Sequence, residues 1–364
     1  MSETQSSASP RPTSPLSGTY PDTTVYGAVG DAVVAMRYAA LADEYEAIRH
    51  RSAVFDLAGT PLIEITGDDA TDFAQRVLGR DVEFLTAERC MTSLVLTADG
   101  AVVDQVEVWG REDGLLLAGS VGAGPRLLEH LHAEAGNGVS ITDRSDELAL
   151  LAFEGPYAWG VVGRLIDGEL AALPFESVVD ASWDGVDIVF ARTGATAEYG
   201  YKVLVAADAV EKLWTLATAE ATPAGYEALE LAMLEVRQPI TRFEAAGADV
   251  VEMGAGWLVD ITKDDFVGKD AVQAAFASPD TKRTVGFSGS TSLPERGAAV
   301  LAGGEVVGEV VHAVHSVALG TTLGLARVTP DLAAAGLTLT VGDAEVTTLT
   351  SPYVTPKSWS TPII

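Results

Sequence analysis

The hydrophobic pattern of this chain changes near residue 280, and the change limits the folds open to it. Before that point, short apolar runs alternate irregularly with stretches whose apolar residues recur every three or four positions, so strands and helices are mixed. Beyond it, short β-like runs follow one another between glycine-rich turns. We predict an α+β protein with a disordered tail, two α+β lobes that interleave, and a β-domain built as a small barrel or jelly-roll-like module. The expected bounds are 1–30, 31–150, 151–279 and 280–364.

Local signals place individual elements within the lobes. Asp99-Gly100 between two apolar runs indicates a β-hairpin. Residues 33–51 are expected to form a helix. Helices are also predicted over 207–218 and 225–236, where apolar residues fall on one face.

The composition excludes several classes of function. The formal net charge of −29 opposes binding to nucleic acid or anionic membranes, because both require Lys and Arg at phosphate groups. Cys90, the one cysteine, can form no internal disulfide or cysteine-rich zinc site, and we expect it to be inert packing. No His-Glu-x-x-His spacing occurs, so no catalytic metal is expected. Without a run of about 18 apolar residues or a signal pattern, we expect a cytoplasmic protein.

Several segments, taken in order over about residues 40–330, resemble the aminomethyltransferase family, which includes the glycine cleavage T-protein and folate-dependent demethylases. Residues 192–201 read Arg-Thr-Gly-Ala-Thr-Ala-Glu-Tyr-Gly-Tyr, similar to the family signature Gly-Tyr-Thr-Gly-Glu-x-Gly-Tyr. Residues 151–156 end in Phe-Glu-Gly-Pro, where the family usually has Leu-Gln-Gly-Pro. The other similar segments are 44–57, 67–82, 97–105, 263–269 and 294–310.

The resemblance implies a cloverleaf of three domains, two α/β lobes and a C-terminal β-domain, around a central channel that holds tetrahydrofolate. It also implies that Glu198 binds the pterin, because one carboxylate can accept the ring N–H and the adjacent amino group together. Gly194 and Gly200 flank Glu198 and permit a tight turn there.

Asp104 is the second residue predicted for the folate site, and it is also a predicted catalytic residue. It matches the first aspartate of the family's Asp-Asp pair, whose second member is Gln105 here. If the strand alternates, Asp104 shares a face with Val102 and Val106, which favours a buried carboxyl group with a raised pKa. Tyr201 is a second candidate proton donor, with His312 and His315 as further ones. The remaining predicted cofactor-binding residues are Arg237 and Lys263, together with Arg242 and Lys269, for the anionic tail of folate, and Tyr199 and Trp109 as aromatic lining.

Departures from the family pattern favour a changed one-carbon donor. Met233 and Glu235 stand where the T-protein has Arg-x-Glu, so the arginine is absent. The sequence therefore predicts a tetrahydrofolate-dependent methyltransferase that demethylates a small methylated substrate. A glycine-cleavage-type aminomethyltransferase and a non-catalytic folate-binding protein are the alternatives. The methylated atom of the donor is left open, and the protein is expected to be a monomer or homodimer.

Overall fold

The computed structural model describes residues 13–166, 169–289 and 292–363. The described helices are α1 Leu41–His50, α2 Ala70–Val77, α3 Gly124–Glu134, α4 Ala158–Val162, α5 Val210–Thr218, α6 Tyr226–Glu235, α7 Thr241–Glu244 and α8 Lys269–Ala277. None of these helices is long and apolar enough to cross a membrane.

The strands that precede residue 280 are β1 Val25–Val29, β2 Ala32–Arg37, β3 Ala53–Asp56, β4 Leu62–Thr66, β5 Cys90–Leu96, β6 Val102–Arg111, β7 Gly114–Ala118, β8 Ser140–Asp143, β9 Leu148–Glu154, β10 Val178–Trp183, β11 Val186–Ala191, β12 Gly200–Ala206 and β13 Thr222–Pro223. They form a β1–β2 hairpin, a five-stranded sheet in the order β5-β6-β7-β4-β8, and a six-stranded sheet in the order β10-β11-β12-β9-β3-β13. The two sheets interleave in sequence, because β3 precedes the whole of the first sheet but pairs with β9 in the second.

A shared core joins the inner faces of these two sheets. Cys90, Trp109 and Leu116 of the first sheet pack with Leu150 and Leu204 of the second. The outer face of the first sheet is covered by α2 and α3, and that of the second by α4 and α5. Burial raises the pKa of the Cys90 thiol, which keeps it protonated within this core.

The C-terminal strands close into the predicted β-domain. They are β14 Arg283–Ser288, β15 Ala299–Ala302, β16 Glu305–Ser316, β17 Thr321–Val328, β18 Thr338–Val341 and β19 Ala344–Leu349. Their order, β14-β17-β16-β15-β18-β19, is that of a closed barrel, so of the two predicted forms the barrel is the one found. Closure pairs each of these six described strands on both sides.

Two local expectations are wrong. The helix expected from residue 33 begins only at Leu41, since β2 occupies Ala32–Arg37 and pairs with β1. The expected tail does not hold for residues 13–30, because Leu16 is 1% exposed and Ser14 and Tyr20 both donate hydrogen bonds to Asp56. Residues 1–12 of that tail lie outside the described residues.

Candidate active site

A cleft lies where the inner faces of the two sheets meet α6. It encloses about 910 Å³, part of which is open to solvent. Ala118, Leu229 and Met233 contribute apolar walls, and residues 238–242 close one side. Ligand sites combine apolar walls with a few convergent polar groups, and this cleft has both, so it is the candidate active site.

The polar floor of the cleft contains a partly buried ion pair. Glu107 on β6 and Lys202 on β12 both line the cleft, and the Nζ of Lys202 lies 2.6 Å from an Oε of Glu107. Glu107 also accepts hydrogen bonds from the indole N–H of Trp109 at 2.6 Å and the hydroxyl of Thr193 at 3.2 Å. Burial opposes the charge of Lys202, but the neighbouring Glu107 holds the pKa of this ammonium group above its ordinary value.

A second carboxyl group, Glu154 at the end of β9, also lines the cleft and is 1% exposed. It accepts hydrogen bonds from the backbone N–H of Ala195 at 2.9 Å and the hydroxyl of Thr196 at 2.6 Å. Among the residues that the structure describes, Glu154 has no ion-pair partner within 4.0 Å. Burial is the main cause that raises its pKa to about 7, so both protonation states are populated near neutral pH.

Gly194 permits the contacts of Glu154. A Cβ atom at this position would lie 2.9 Å from both carboxylate oxygens of Glu154 and 2.7 Å from the Cα of Gly200. Those distances are too short for a side chain, so glycine is required here. Its absence of a side chain lets residues 193–200 approach β9 closely enough for the Ala195 N–H to reach Glu154.

Glu198, the predicted pterin ligand, is buried beside the cleft but is not among the described residues that line it. One of its oxygens accepts hydrogen bonds from the N–H and hydroxyl of Ser358, at 2.8 and 2.7 Å. The other accepts from the N–H of Lys357 at 3.1 Å and from Arg49 at 3.2 Å. The acceptor atoms that a pterin edge would use are therefore occupied by residues 357–358.

Arg49 links Glu198 to a second buried carboxylate. Its guanidinium lies 2.9 Å from Glu235, the glutamate at the end of α6, and it also donates to the carbonyl groups of Thr196 and Ala232. Burial raises the pKa of Glu235, and Arg49 opposes that effect. The network connects α1, α6 and the loop that contains Glu198.

Asp104 is fully buried, as the sequence predicts. One of its oxygens accepts a hydrogen bond from the N–H of Ser120 at 2.9 Å, and the other has no partner among the described residues. Burial raises the pKa of this carboxyl group. Asp104 itself does not line the cleft, whereas the next residue, Gln105, and Ser120 do.

Among the residues that the structure describes, the cleft lining does not include the predicted aromatic residues Tyr201, Tyr199 and Trp109. Tyr201 packs on Phe190, with ring centroids 5.6 Å apart, and burial raises the pKa of its hydroxyl to about 12. Tyr199 donates a hydrogen bond to the carbonyl of Thr361 at 2.6 Å. Trp109 reaches the site indirectly, through its hydrogen bond to Glu107.

The predicted cations do not converge on the cleft, and each has partners elsewhere. Arg237 pairs with Glu244 at 2.8 Å. Lys263 is buried and donates to the carbonyl groups of Leu78 and Arg80, and burial lowers its pKa to about 8. Lys269 likewise donates to backbone carbonyl groups. Of this set, Arg242 lines the cleft, where it is paired with Glu230.

Comparison with known proteins places this fold in a family. A family model described as the GCVT N-terminal domain matches residues 20–263, and one described as the glycine cleavage T-protein C-terminal barrel domain matches residues 282–352. The chain belongs to the glycine cleavage T-protein family.

Relatives of known name agree with this assignment. The aminomethyltransferase of Rubrobacter xylanophilus is 31% identical over 301 residues, which cover 81% of each chain. That of Bacillus subtilis is 28% identical over 322 residues, which cover 85% of this chain and 88% of the relative. The crystal structure of the glycine cleavage system aminomethyltransferase T from Bartonella henselae has a TM-score of 0.81 at 18% identity, covers 91% of this chain and 94% of that one, and supports the fold.

Three charged residues of the cleft, Glu107, Lys202 and Glu154, are not predicted as site residues from the sequence. Each interrupts an apolar strand: Glu107 lies between Val106 and Val108, Lys202 follows Tyr201, and Glu154 follows Phe153. A charged residue within a buried strand requires a partner or a function, and that was the available signal. Glu154 also replaces the glutamine of the T-protein family's Leu-Gln-Gly-Pro segment.

The T-protein signature explains a strained residue next to Glu198. Ala197 has a φ of 58° and stands where the signature has glycine. We expect Ala197→Gly to raise the free energy of unfolding by up to about 1 kcal/mol, since left-handed backbone costs other residues about 1–2 kcal/mol and glycine returns about half of that through its freedom when unfolded. Ala195→Gly, at a nearby position without positive φ, should lower it by about 0.5–1 kcal/mol. Urea unfolding of both variants tests this, and equal losses would contradict it.

Proposed function

We propose that this protein is a tetrahydrofolate-dependent methyltransferase that takes a methyl group from a small methylated substrate. The observation that carries the proposal is the location of two departures from the family pattern. Met233, in place of the arginine, and Gln105, in place of the second aspartate, both line the cleft. A family member that has lost these charged groups from the wall of its site is suited to a different one-carbon donor.

The cleft residues fit tetrahydrofolate in chemical type. Apolar side chains such as Leu57, Leu229 and Met233 offer faces for the pterin ring, and the amide oxygen of Gln105, which has no hydrogen-bond partner among the described residues, offers an acceptor for its N–H groups. Arg242, a cationic residue that lines the cleft, is the one that we assign to the anionic tail of tetrahydrofolate. When bound, tetrahydrofolate supplies the nitrogen that accepts the one-carbon group.

The chain's own residues would act by binding and by orienting the reactants. The Glu107–Lys202 pair would hold the polar floor of the cleft in a fixed arrangement. We propose Glu198 as a positioning residue, because its oxygens hold residues 357–358 and Arg49. Asp104 is proposed in the same sense, since it holds the backbone at Ser120, which lines the cleft.

Aminomethyl transfer of the glycine-cleavage type is the second candidate. It is supported by the relatives named aminomethyltransferase at about 30% identity over most of the chain. A non-catalytic folate-binding role is the third. The small methylated partner, the monomeric or dimeric state and the cytoplasmic location stay predictions.

The three candidates differ in product. We expect the protein, incubated with tetrahydrofolate and a panel of methyl ethers, sulfonium compounds and N-methyl amines, to form 5-methyltetrahydrofolate, measured by liquid chromatography and mass spectrometry. Methylenetetrahydrofolate from an aminomethyl donor would favour the second candidate. Binding without product across the panel would favour the third, and no binding would refute the folate assignment.

A variant that narrows the cleft tests whether this is the site. We expect Met233→Trp to weaken tetrahydrofolate binding roughly tenfold or more, because the larger ring occupies space within the cleft. Leu216→Trp, on α5 and away from the cleft, is the matched control and should bind normally. Titration calorimetry measures both, and equal affinities would place the folate site elsewhere.

A further inference from the structure

Glu154 brings a buried carboxyl group into the cleft, and no described residue forms an ion pair with it. Its two hydrogen-bond donors, the N–H of Ala195 and the hydroxyl of Thr196, are both neutral. They fix the carboxyl group in position but do not balance its charge. A buried charged group without a counter-ion is costly, so a proton is readily held on Glu154.

The charged groups that face Glu154 from neighbouring elements are already committed. Lys202 approaches from β12, but its ammonium group is 2.6 Å from Glu107 of β6. Glu198 faces it from the loop that follows Ala195 and adds like charge, while Arg49 is held between Glu198 and Glu235. Burial is the largest effect and, with Glu198, favours the protonated form of Glu154, whereas the hydrogen bonds from Thr196 and Ala195, and then Lys202, favour the ionised form.

We propose that Glu154 transfers the proton in this protein's one-carbon reaction, as the acid that protonates the departing atom of the donor. The inference rests on the proposed function. It also favours methyl ethers over sulfonium compounds as donors, because a departing alkoxide or phenoxide needs a proton, whereas a sulfonium donor leaves as a neutral sulfide.

The proton balance of the step closes on Glu154. As the bond between the methyl carbon and the ether oxygen breaks, its electron pair stays on oxygen, and Glu154 gives that oxygen its proton. The acceptor nitrogen loses one proton when it gains the methyl group, and that proton returns to the Glu154 carboxylate. The products are an alcohol or phenol and the methylated acceptor, and no oxidant or reductant is consumed.

Glu154→Gln tests the proposal, because it keeps the shape of the side chain and removes its ionisable proton. With a methyl ether we expect kcat to fall by about 10²-fold or more, with KM changed little. Turnover of a sulfonium donor should be largely retained. In the unsubstituted protein, kcat for the ether should fall as pH rises above about 7, because the acid must start protonated. Glu64→Gln, the same substitution on β4 outside the cleft, is the control and should keep both activities.

A readout independent of turnover is the titration of the carboxyl group itself. Difference infrared spectroscopy of the free protein should show a carboxyl group that titrates near pH 7 and is absent from Glu154→Gln. If Glu154→Gln does not fold, Glu154→Asp keeps the proton and should retain part of the ether activity and its pH profile.

The outcomes separate the two proposals. If 5-methyltetrahydrofolate forms from a methyl ether but Glu154→Gln keeps normal kcat and pH dependence, the role of Glu154 is refuted and the proposed function stands. If sulfonium and ether turnover fall equally, Glu154 has a structural role and the inference is overturned. If no donor yields product, both proposals fall.

Discussion

Replacing Arg49 by methionine should lower the free energy of unfolding by about 3–5 kcal/mol near neutral pH. The side chain of Arg49 is 3% exposed and is shared between Glu198 and Glu235, whose side chains are fully buried. Methionine fills a similar length but leaves two buried carboxylates without their cation. The carbonyl groups of Thr196 and Ala232 lose a donor as well.

The pH dependence of this loss identifies its cause. Burial raises the pKa of Glu235 and Arg49 opposes that rise, so removing Arg49 lets the pKa of the folded state rise further. A group with a raised folded pKa contributes stability at low pH and loses it as pH increases. The cost of Arg49→Met should therefore shrink as the pH falls from 7 toward 5.

Urea unfolding at several pH values measures this effect. Arg51→Met is the matched control, because Arg51 is exposed two residues away and should change stability by no more than about 0.5 kcal/mol. A loss for Arg49→Met that is independent of pH would mean that packing, rather than uncompensated charge, explains the cost.

The Lys202–Glu107 pair should show strong coupling in a double-mutant cycle. Lys202→Met leaves Glu107 in the cleft floor without its cation and should cost roughly 3 kcal/mol of stability. Glu107→Gln alone should cost less, since Lys202 retains the nearby charge of Glu154. The double variant should recover much of the loss, with a coupling energy of about 2 kcal/mol.

Lys202→Met should also change the pH dependence of kcat for a methyl ether. Because Lys202 lowers the pKa of Glu154, its removal should move the upper limit of the activity profile to higher pH. Additive losses of stability in the cycle would indicate that the two side chains do not interact as the 2.6 Å distance implies. An unmoved profile would indicate that Lys202 does not influence Glu154.

The order of lobes and the barrel could be predicted from the sequence, but which strand residues face the cleft could not. Side chains alternate along a strand, so an error of one position reverses the face. The sequence predicts Asp104 and Tyr201 as site residues, whereas the next residue along each strand, Gln105 or Lys202, is the one that lines the cleft. Apolar residues cover both faces of these strands, so the hydrophobic pattern does not show which face points into the cleft.

The surroundings of Glu198 depend on contacts that the sequence does not reveal. Its partners are Arg49, 149 residues earlier, and Ser358, 160 residues later. Sequence patterns show only which residues are neighbours within one element. They therefore do not show that the hydrogen bonds to the Glu198 carboxylate come from distant segments, and Glu198 is predicted to be free to bind a ligand. The burial of Asp104, by contrast, followed from the apolar residues around it on β6.

The hydrogen bonds that Glu198 accepts from Lys357 and Ser358 also affect how the chain folds during its synthesis. During synthesis, the loop that holds Glu198 leaves the ribosome 160 residues before the serine that satisfies it. The second lobe thus cannot reach its final state while the barrel is still being translated, although domains generally fold in order from the N-terminus. Until Ser358 has been translated, the Glu198 carboxylate lacks these hydrogen bonds, so Glu198 and Arg49 are more exposed to water in the nascent chain. Chaperones and proteases would encounter the chain in this incompletely folded state.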